Sequence, residues 1–224
     1  MVSNVPHEET TSLSPASEQL RRIAMQLTAI SETGLWYGKD QFDIERFARV
    51  GELARDLMAH LAAYPLSEYD QKVASVAGYT TPKVDVRGAV FNKKGEVLLV
   101  RETLDDGRWT LPGGWCDILE SPGPATEREV LEEAGLKVKA THLAAVVDRE
   151  KWPHYPPFDY HIYKLFYVCE PEGAVDLDYT SNETSAVSWF PVDDLPELSP
   201  SRVLPEQIRL AYEHWLNPGP AYSD

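Results

Sequence analysis

Between Gly114 and Leu136 the chain reads GWCDILESPGPATEREVLEEAGL, and this stretch limits the fold more than any other. Its spacing predicts a short helix from Pro124 to Ala134. Ser121 is the candidate N-cap, Pro122 suits a first helical position, and Gly135 suits the left-handed residue that closes a helix. On such a helix Glu129, Glu132 and Glu133 stand at i, i+3 and i+4, so three carboxylates share one face. Val130, Leu131 and Ala134 are then expected to turn toward the body of the protein.

Like charges at that spacing repel, at a cost of roughly 0.2–0.5 kcal/mol per pair. Arg128 can answer Glu132 at i+4, but one cation does not neutralise three acids. A hard divalent cation does, taking carboxylate oxygens and keeping waters for a phosphate-bearing ligand. EREVLEE alone reads more readily as the face of an acidic helix in water.

The wider pattern separates the two readings. It is Gly-x5-Glu-x7-Arg-Glu-U-x-Glu-Glu-x-Gly-U, with Val130 and Leu136 at the apolar positions U. At every defined position the chain resembles the Nudix hydrolases. The resemblance implies an α/β fold, an α/β/α sandwich with a mixed β-sheet. It implies Mg2+ (Mn2+ as an alternative) held by Glu129, Glu132, Glu133 and the Gly113 carbonyl. Glu120 would pair with Arg128 and touch metal-bound water, and Arg128 would fix the carboxylates. Divalent metal would activate water and clamp phosphate oxygens while a carboxylate takes the remaining proton. Glu129 is one candidate for that base. Glu183 is another, as an extra metal-binding or basic acid, or else simply an exposed residue.

With 224 residues there is room for one large domain or for an ordinary domain with a smaller partner. No apolar run reaches 18 residues, the N-terminal stretch lacks a basic start and an apolar core, and Cys116 and Cys169 show no metal spacing. The expected compartment is the cytoplasm. A net charge of −15 argues against a stable nucleic-acid partner, yet a bound cation can invert the local field for a phosphate substrate.

Ahead of the box, Ser14-Pro15 reads as a helix start, and Leu20, Ile23, Ala24, Leu27 and Ile30 follow at helical spacing up to Gly34. A second helix opens at Asp40 or Asp43, carries Ile44, Phe47, Ala54, Leu57 and Leu61, and stops at Pro65. Residues 66–83 read as a linker. The helices (residues 1–70) resemble the N-terminal domain of Nudix enzymes that hydrolyse X-linked nucleoside diphosphates, which implies a homodimer and a part in the substrate cleft. Residues 84–217 are the expected hydrolase domain. Its predicted strands are Lys83–Phe91, Glu96–Arg101, Thr141–Asp148, Tyr160–Cys169 and Ser188–Phe190, with a last helix led by Ser199-Pro200.

Substrate contacts are harder to read. Trp36 and Tyr37 suit stacking on a nucleobase or the core of a helical hairpin. Arg87 and Arg101 suit phosphate contacts or surface ion pairs. The loop Asp148–His161 has the proline and aromatic content of a binding wall, with His154 and His161 as loop or substrate contacts. The expected activity is pyrophosphohydrolysis of a small nucleoside diphosphate derivative, CDP-choline or ADP-ribose. Alternatives are a house-cleaning nucleoside triphosphatase, an enzyme acting on RNA ends, and a non-catalytic Nudix-fold ligand sensor. The intact box and the lack of a basic recognition helix weigh against the sensor.

Overall fold

The computed structural model describes residues 14–62, 81–103, 105–117 and 119–224. Expectations for residues 1–13, for Pro65 and for most of the linker lie outside those residues. The chain divides into two compact units, one containing the described residues 14–62 with 158–160, the other residues 82–157 with 161–224.

In the first unit α1 spans Pro15–Tyr37 and α2 spans Gln41–Ala62. Ser14 Oγ accepts the Ser17 N–H at 3.1 Å, the side-chain cap its position suggested. Asp40 Oδ1 accepts the Phe42 and Asp43 N–H groups at 3.0 and 3.2 Å and so opens α2. Gly34 does not end α1, which runs on to Tyr37. A Cβ there would lie 2.3 Å from the Phe47 ring, so this glycine serves a close helix–helix approach. The core between the helices is small, centred on Ala24, Met58 and Ala59.

In the second unit β1 is Lys83–Val90, β2 Glu96–Glu102 and β3 Trp109–Thr110. Helix α3 is Pro122–Ala134, followed by β4, Val138–Asp148, and β5, Ile162–Pro171. Strand β6 is Thr184–Pro191, α4 is Pro205–Leu216 and β7 is Tyr222–Ser223. One sheet is mixed, in the order β1-β5-β4-β7; the other is antiparallel, in the order β3-β2-β6. Strand alternation assigns neighbouring residues to opposite layers. Ala89 and Leu99 join Ile208 and Ala211 of α4 in one core, while Val90 and Leu98 join Val130 and Ala134 of α3 in the other. The result is an α/β/α sandwich with a mixed sheet.

Two details depart from the sequence reading. Helix α3 starts at Pro122, with Ser121 in the N-cap position but making no side-chain cap, and Leu131 is exposed while Val130 and Ala134 are buried. Helix α4 starts at Pro205 and not at Ser199-Pro200. The earlier segment is held as an extended partner of β3, where the Ser199 N–H donates to the Trp109 carbonyl at 2.8 Å. Among the described residues no helix is long and apolar enough to cross a membrane.

Candidate active site

Strand β3 runs into Leu111-Pro112-Gly113-Gly114, which lies along β1: the Gly88 N–H donates to the Pro112 carbonyl at 2.9 Å and the Val86 N–H to the Gly114 carbonyl at 2.8 Å. Gly113 has φ +148°, and a Cβ there would come within 2.1 Å of the Val86 carbonyl oxygen. A Cβ on Gly114 would meet the Glu129 carboxylate at 2.9 Å. These glycines therefore bring bare backbone against the acids of α3. The Gly113 N–H donates to Glu133 Oε2 at 2.9 Å.

Glu129 and Glu133 are buried, and Glu132 is largely exposed. Burial pushes the Glu129 carboxyl up, against the pull of Arg128. Burial pushes Glu133 up to about 7, although the Arg87 charge and the Gly113 N–H oppose it. Arg128 binds several acids at once. It forks onto Glu120 at 2.9–3.2 Å and reaches Glu129 at 2.8 Å and Glu132 at 3.0 Å. Those hydrogen bonds, Glu120 first, hold the guanidinium firmly protonated.

Among the described residues no group of three acids, histidines or cysteines already converges as a metal cage; Arg128 engages Glu129 and Glu132, and the Gly113 N–H engages Glu133. The donor chemistry still fits a hard divalent cation. Glu129, Glu132 and Glu133 supply oxygens only, two of them are buried beyond what the local cations offset, and Gly113-Gly114 leaves the space beside them clear.

The remaining expected residues fall in different places. Arg87 is buried, with its guanidinium on both Asp85 oxygens at 2.9 and 2.6 Å and on the Leu111 carbonyl at 3.3 Å. This departs from an open phosphate contact, because Arg87 is buried and its donors are taken by Asp85 and Leu111. Arg101 is exposed, and its Nε donates to the Gly107 carbonyl at 2.8 Å, bracing the β2–β3 turn. Glu183 is exposed just ahead of β6, where its carbonyl accepts the Thr103 N–H at 2.9 Å beyond the end of β2. Trp36 and Tyr37 are exposed at the end of α1, so they are not core of the hairpin. Tyr37 borders a shallow depression of about 610 Å³ shared with Ile30, Gly34, Asp43 and Phe47.

Three participants escaped the sequence reading. The β1–β5 register sets Lys164 opposite Asp85, and its Nζ lies 2.6 Å from Asp85 Oδ1. Burial opposes ionisation, yet Arg87 and Lys164 hold the Asp85 carboxyl down at about 2. Burial pushes Lys164 itself down to about 7. Glu102 is buried beside this group and ion-paired with Arg202 at 3.0 Å. Period-2 alternation beyond the exposed Arg101 was the available signal for Glu102.

His154 is a correction. It is buried, with Nδ1 2.9 Å from the Pro200 carbonyl and Nε2 2.9 Å from Gln207 Nε2. That arrangement needs a neutral ring which donates at Nδ1 and accepts at Nε2. Burial holds its pKa down at about 3. The unfolded chain takes the proton near pH 6.5 and the folded protein does not, so acidification below that point favours unfolding. Wild type should therefore lose roughly 1–2 kcal/mol more stability than His154→Asn between pH 6.5 and pH 5. Urea unfolding of both proteins at the two pH values checks this, and parallel losses would show that the ring is protonated when folded.

The NUDIX domain family matches residues 81–210, more than half of the chain and the whole of the glycine–glutamate–arginine site. The chain belongs to the Nudix family. It is a Nudix hydrolase, acting on pyrophosphate bonds. Residues 18–70 match a second family, the UDP-X-like N-terminal oligomerisation domain. A Bacillus subtilis (strain 168) relative, YjhB, is named as a candidate ADP-ribose pyrophosphatase. It is 38% identical over 196 residues, 87% of this chain and 91% of the relative. An ADP-ribose pyrophosphatase from Streptococcus suis 89-1591 is 36% identical, with a TM-score of 0.56 over 64% of this chain and 98% of its own. A UDP-X diphosphatase is 27% identical, with a TM-score of 0.58 over 93% of this chain and 99% of its own.

Proposed function

We propose that this Nudix hydrolase cleaves the diphosphate of a nucleoside diphosphate linked to another moiety, with ADP-ribose as the leading substrate and CDP-choline as the second. The observation that carries the reading is one helix face of Glu129, Glu132 and Glu133, of which Glu129 and Glu133 lie against the bare backbone of Gly113-Gly114. The relative named for ADP-ribose extends over both units of the chain, which favours that substrate class over the shorter triphosphatases.

Glu129, Glu132 and Glu133, with the Gly113 carbonyl, would hold Mg2+, or Mn2+ in its place. The cation supplies a water of lowered pKa and a clamp on phosphate oxygens. Arg128 fixes the carboxylates, and Glu120 fixes Arg128. Glu129 accepts the proton of the attacking water, with Glu183 as the alternative base. Buried Arg87 keeps positive charge near Glu133 without touching substrate. The free thiols Cys116 and Cys169 are in keeping with work in the cytoplasm.

A panel of ADP-ribose, CDP-choline, nucleoside triphosphates and capped RNA, each with Mg2+, tests the reading. Turnover of the sugar- or choline-linked diphosphates well above the rest supports it. Preference for triphosphates or RNA ends selects the alternative enzymes, and binding without turnover selects a sensor.

The helices of the first unit would join two copies. Ile30, Phe42 and Leu53 are each at least half exposed, and this segment is the one that matches an oligomerisation domain. Ile44, Phe47 and Leu57, the stripe picked out by periodicity, are half-buried. Light scattering at micromolar concentration should give twice the 25.2 kDa chain mass, and Phe42→Asp should lower it. A monomer at that concentration would reject the dimer.

A further inference from the structure

The site holds an excess of acids, and a diphosphate adds more negative charge, so the cations close to those acids matter. Three arginines lie near enough for their charge to bear on Glu102, Glu129 or Glu133: Arg87, Arg128 and Arg202. Arg87 is buried and engaged by Asp85 and the Leu111 carbonyl. Arg128 is engaged by Glu120, Glu129 and Glu132. Arg202 differs. Its side chain is 32% exposed, makes one ion pair, to Glu102, and forms no side-chain hydrogen bond among the described residues.

The fold places this residue firmly. Residues 197–199 pair with Trp109 of β3, through Trp109 N–H to the Glu197 carbonyl at 3.0 Å and Ser199 N–H to the Trp109 carbonyl at 2.8 Å. The chain then turns, and the Arg202 and Val203 N–H groups return to the Ser199 carbonyl at 3.1 and 3.0 Å. Ser199 and Val203 are fully buried, so Arg202 projects from an anchored turn. Its partner Glu102 sits at an irregularity in the β2–β6 register between Arg101 and Glu102. Glu102 is close enough to Glu133 for their charges to repel. An arginine held by a buried carboxylate that itself neighbours Glu133, part-exposed and with its remaining donors making no hydrogen bond among the described residues, is a ready fork for phosphate oxygens.

We propose that Arg202 binds the diphosphate of the substrate, with Glu102 as the positioning residue that aims its guanidinium. The inference rests on the pyrophosphohydrolase reading above. It assigns a phosphate contact to a turn some seventy residues beyond the glutamate helix, outside the pattern that defines the family.

The test compares wild type with Arg202→Ala, Arg202→Lys and Glu102→Gln, using ADP-ribose and Mg2+, competition by inorganic pyrophosphate, and thermal unfolding of each protein. Arg202→Ala should raise KM and the pyrophosphate inhibition constant about tenfold or more, as expected for loss of a hydrogen bond to a charged group. Arg202→Lys should fall between it and wild type, because the charge stays and the fork is lost. Glu102→Gln should raise KM less than Arg202→Ala does. An unchanged KM and inhibition constant in a folded Arg202→Ala protein, with only a lower Tm, would overturn the proposal and leave Arg202 as a structural partner of Glu102. An inactive wild type would instead count against the proposed function. Calorimetric binding of magnesium pyrophosphate to wild type and Arg202→Lys would then decide on Arg202, equal affinities overturning it and a clear loss supporting it.

Discussion

Glu133→Gln lowers kcat on the preferred diphosphate by about 10²–10³-fold while the protein stays folded. The carbonyl oxygen of glutamine can still accept the Gly113 N–H, now made to Glu133 Oε2 at 2.9 Å, so the backbone beside the helix keeps its contact. What is lost is a buried negative charge that would hold the cation. In metal-free protein that charge is costly, since it is buried at 4% exposure next to Glu129. The variant should therefore unfold at the same temperature as metal-free wild type or a higher one, a trade of function against stability. Steady-state kinetics with parallel thermal melts read both parts. Near wild-type kcat at saturating Mg2+ would show that Glu133 takes no part in catalysis.

Removing divalent metal abolishes turnover, and restoring Mg2+ restores it. Without the cation the acids meet a phosphate substrate with unshielded charge, and Arg128 cannot offset this while it is shared among Glu120, Glu129 and Glu132. Binding to the folded state alone also raises its stability, so Mg2+ should increase the Tm of wild type more than that of Glu133→Gln. Dialysis against chelator, readdition of metal and melts of both proteins give the comparison. Full activity in excess EDTA would exclude the metal role.

The glutamate helix was legible because its information is local. Spacing alone places three acids on one face, marks Gly135 as its close, and brings Arg128 within reach of Glu132. The sandwich was legible through the resemblance carried by that helix, whereas the assignment of Ala89 and Val90, and of Leu98 and Leu99, to opposite cores is seen only in the structure. Non-local pairing was not legible. Nothing near Asp85 in sequence says that a parallel register 79 residues away sets Lys164 on its carboxylate. Arg87 therefore looked like a phosphate contact or a surface ion pair, when it is the buried counter-ion of Asp85. His154 looked like a loop contact because proline and aromatic content marks a loop, whereas Gln207 of α4 encloses it. Gly34 misled in another way, since a glycine that ends a helix and one that admits Phe47 leave the same letter in the sequence.

The central claim is that the face formed by Glu129, Glu132 and Glu133 serves metal-dependent cleavage of a linked nucleoside diphosphate. Chromatography of a reaction containing the protein, Mg2+ and ADP-ribose tests it most directly. The account predicts AMP and ribose 5-phosphate in equal amounts, with neither formed when chelator replaces metal. Intact ADP-ribose in the presence of metal, together with intact CDP-choline in the companion reaction, would contradict it.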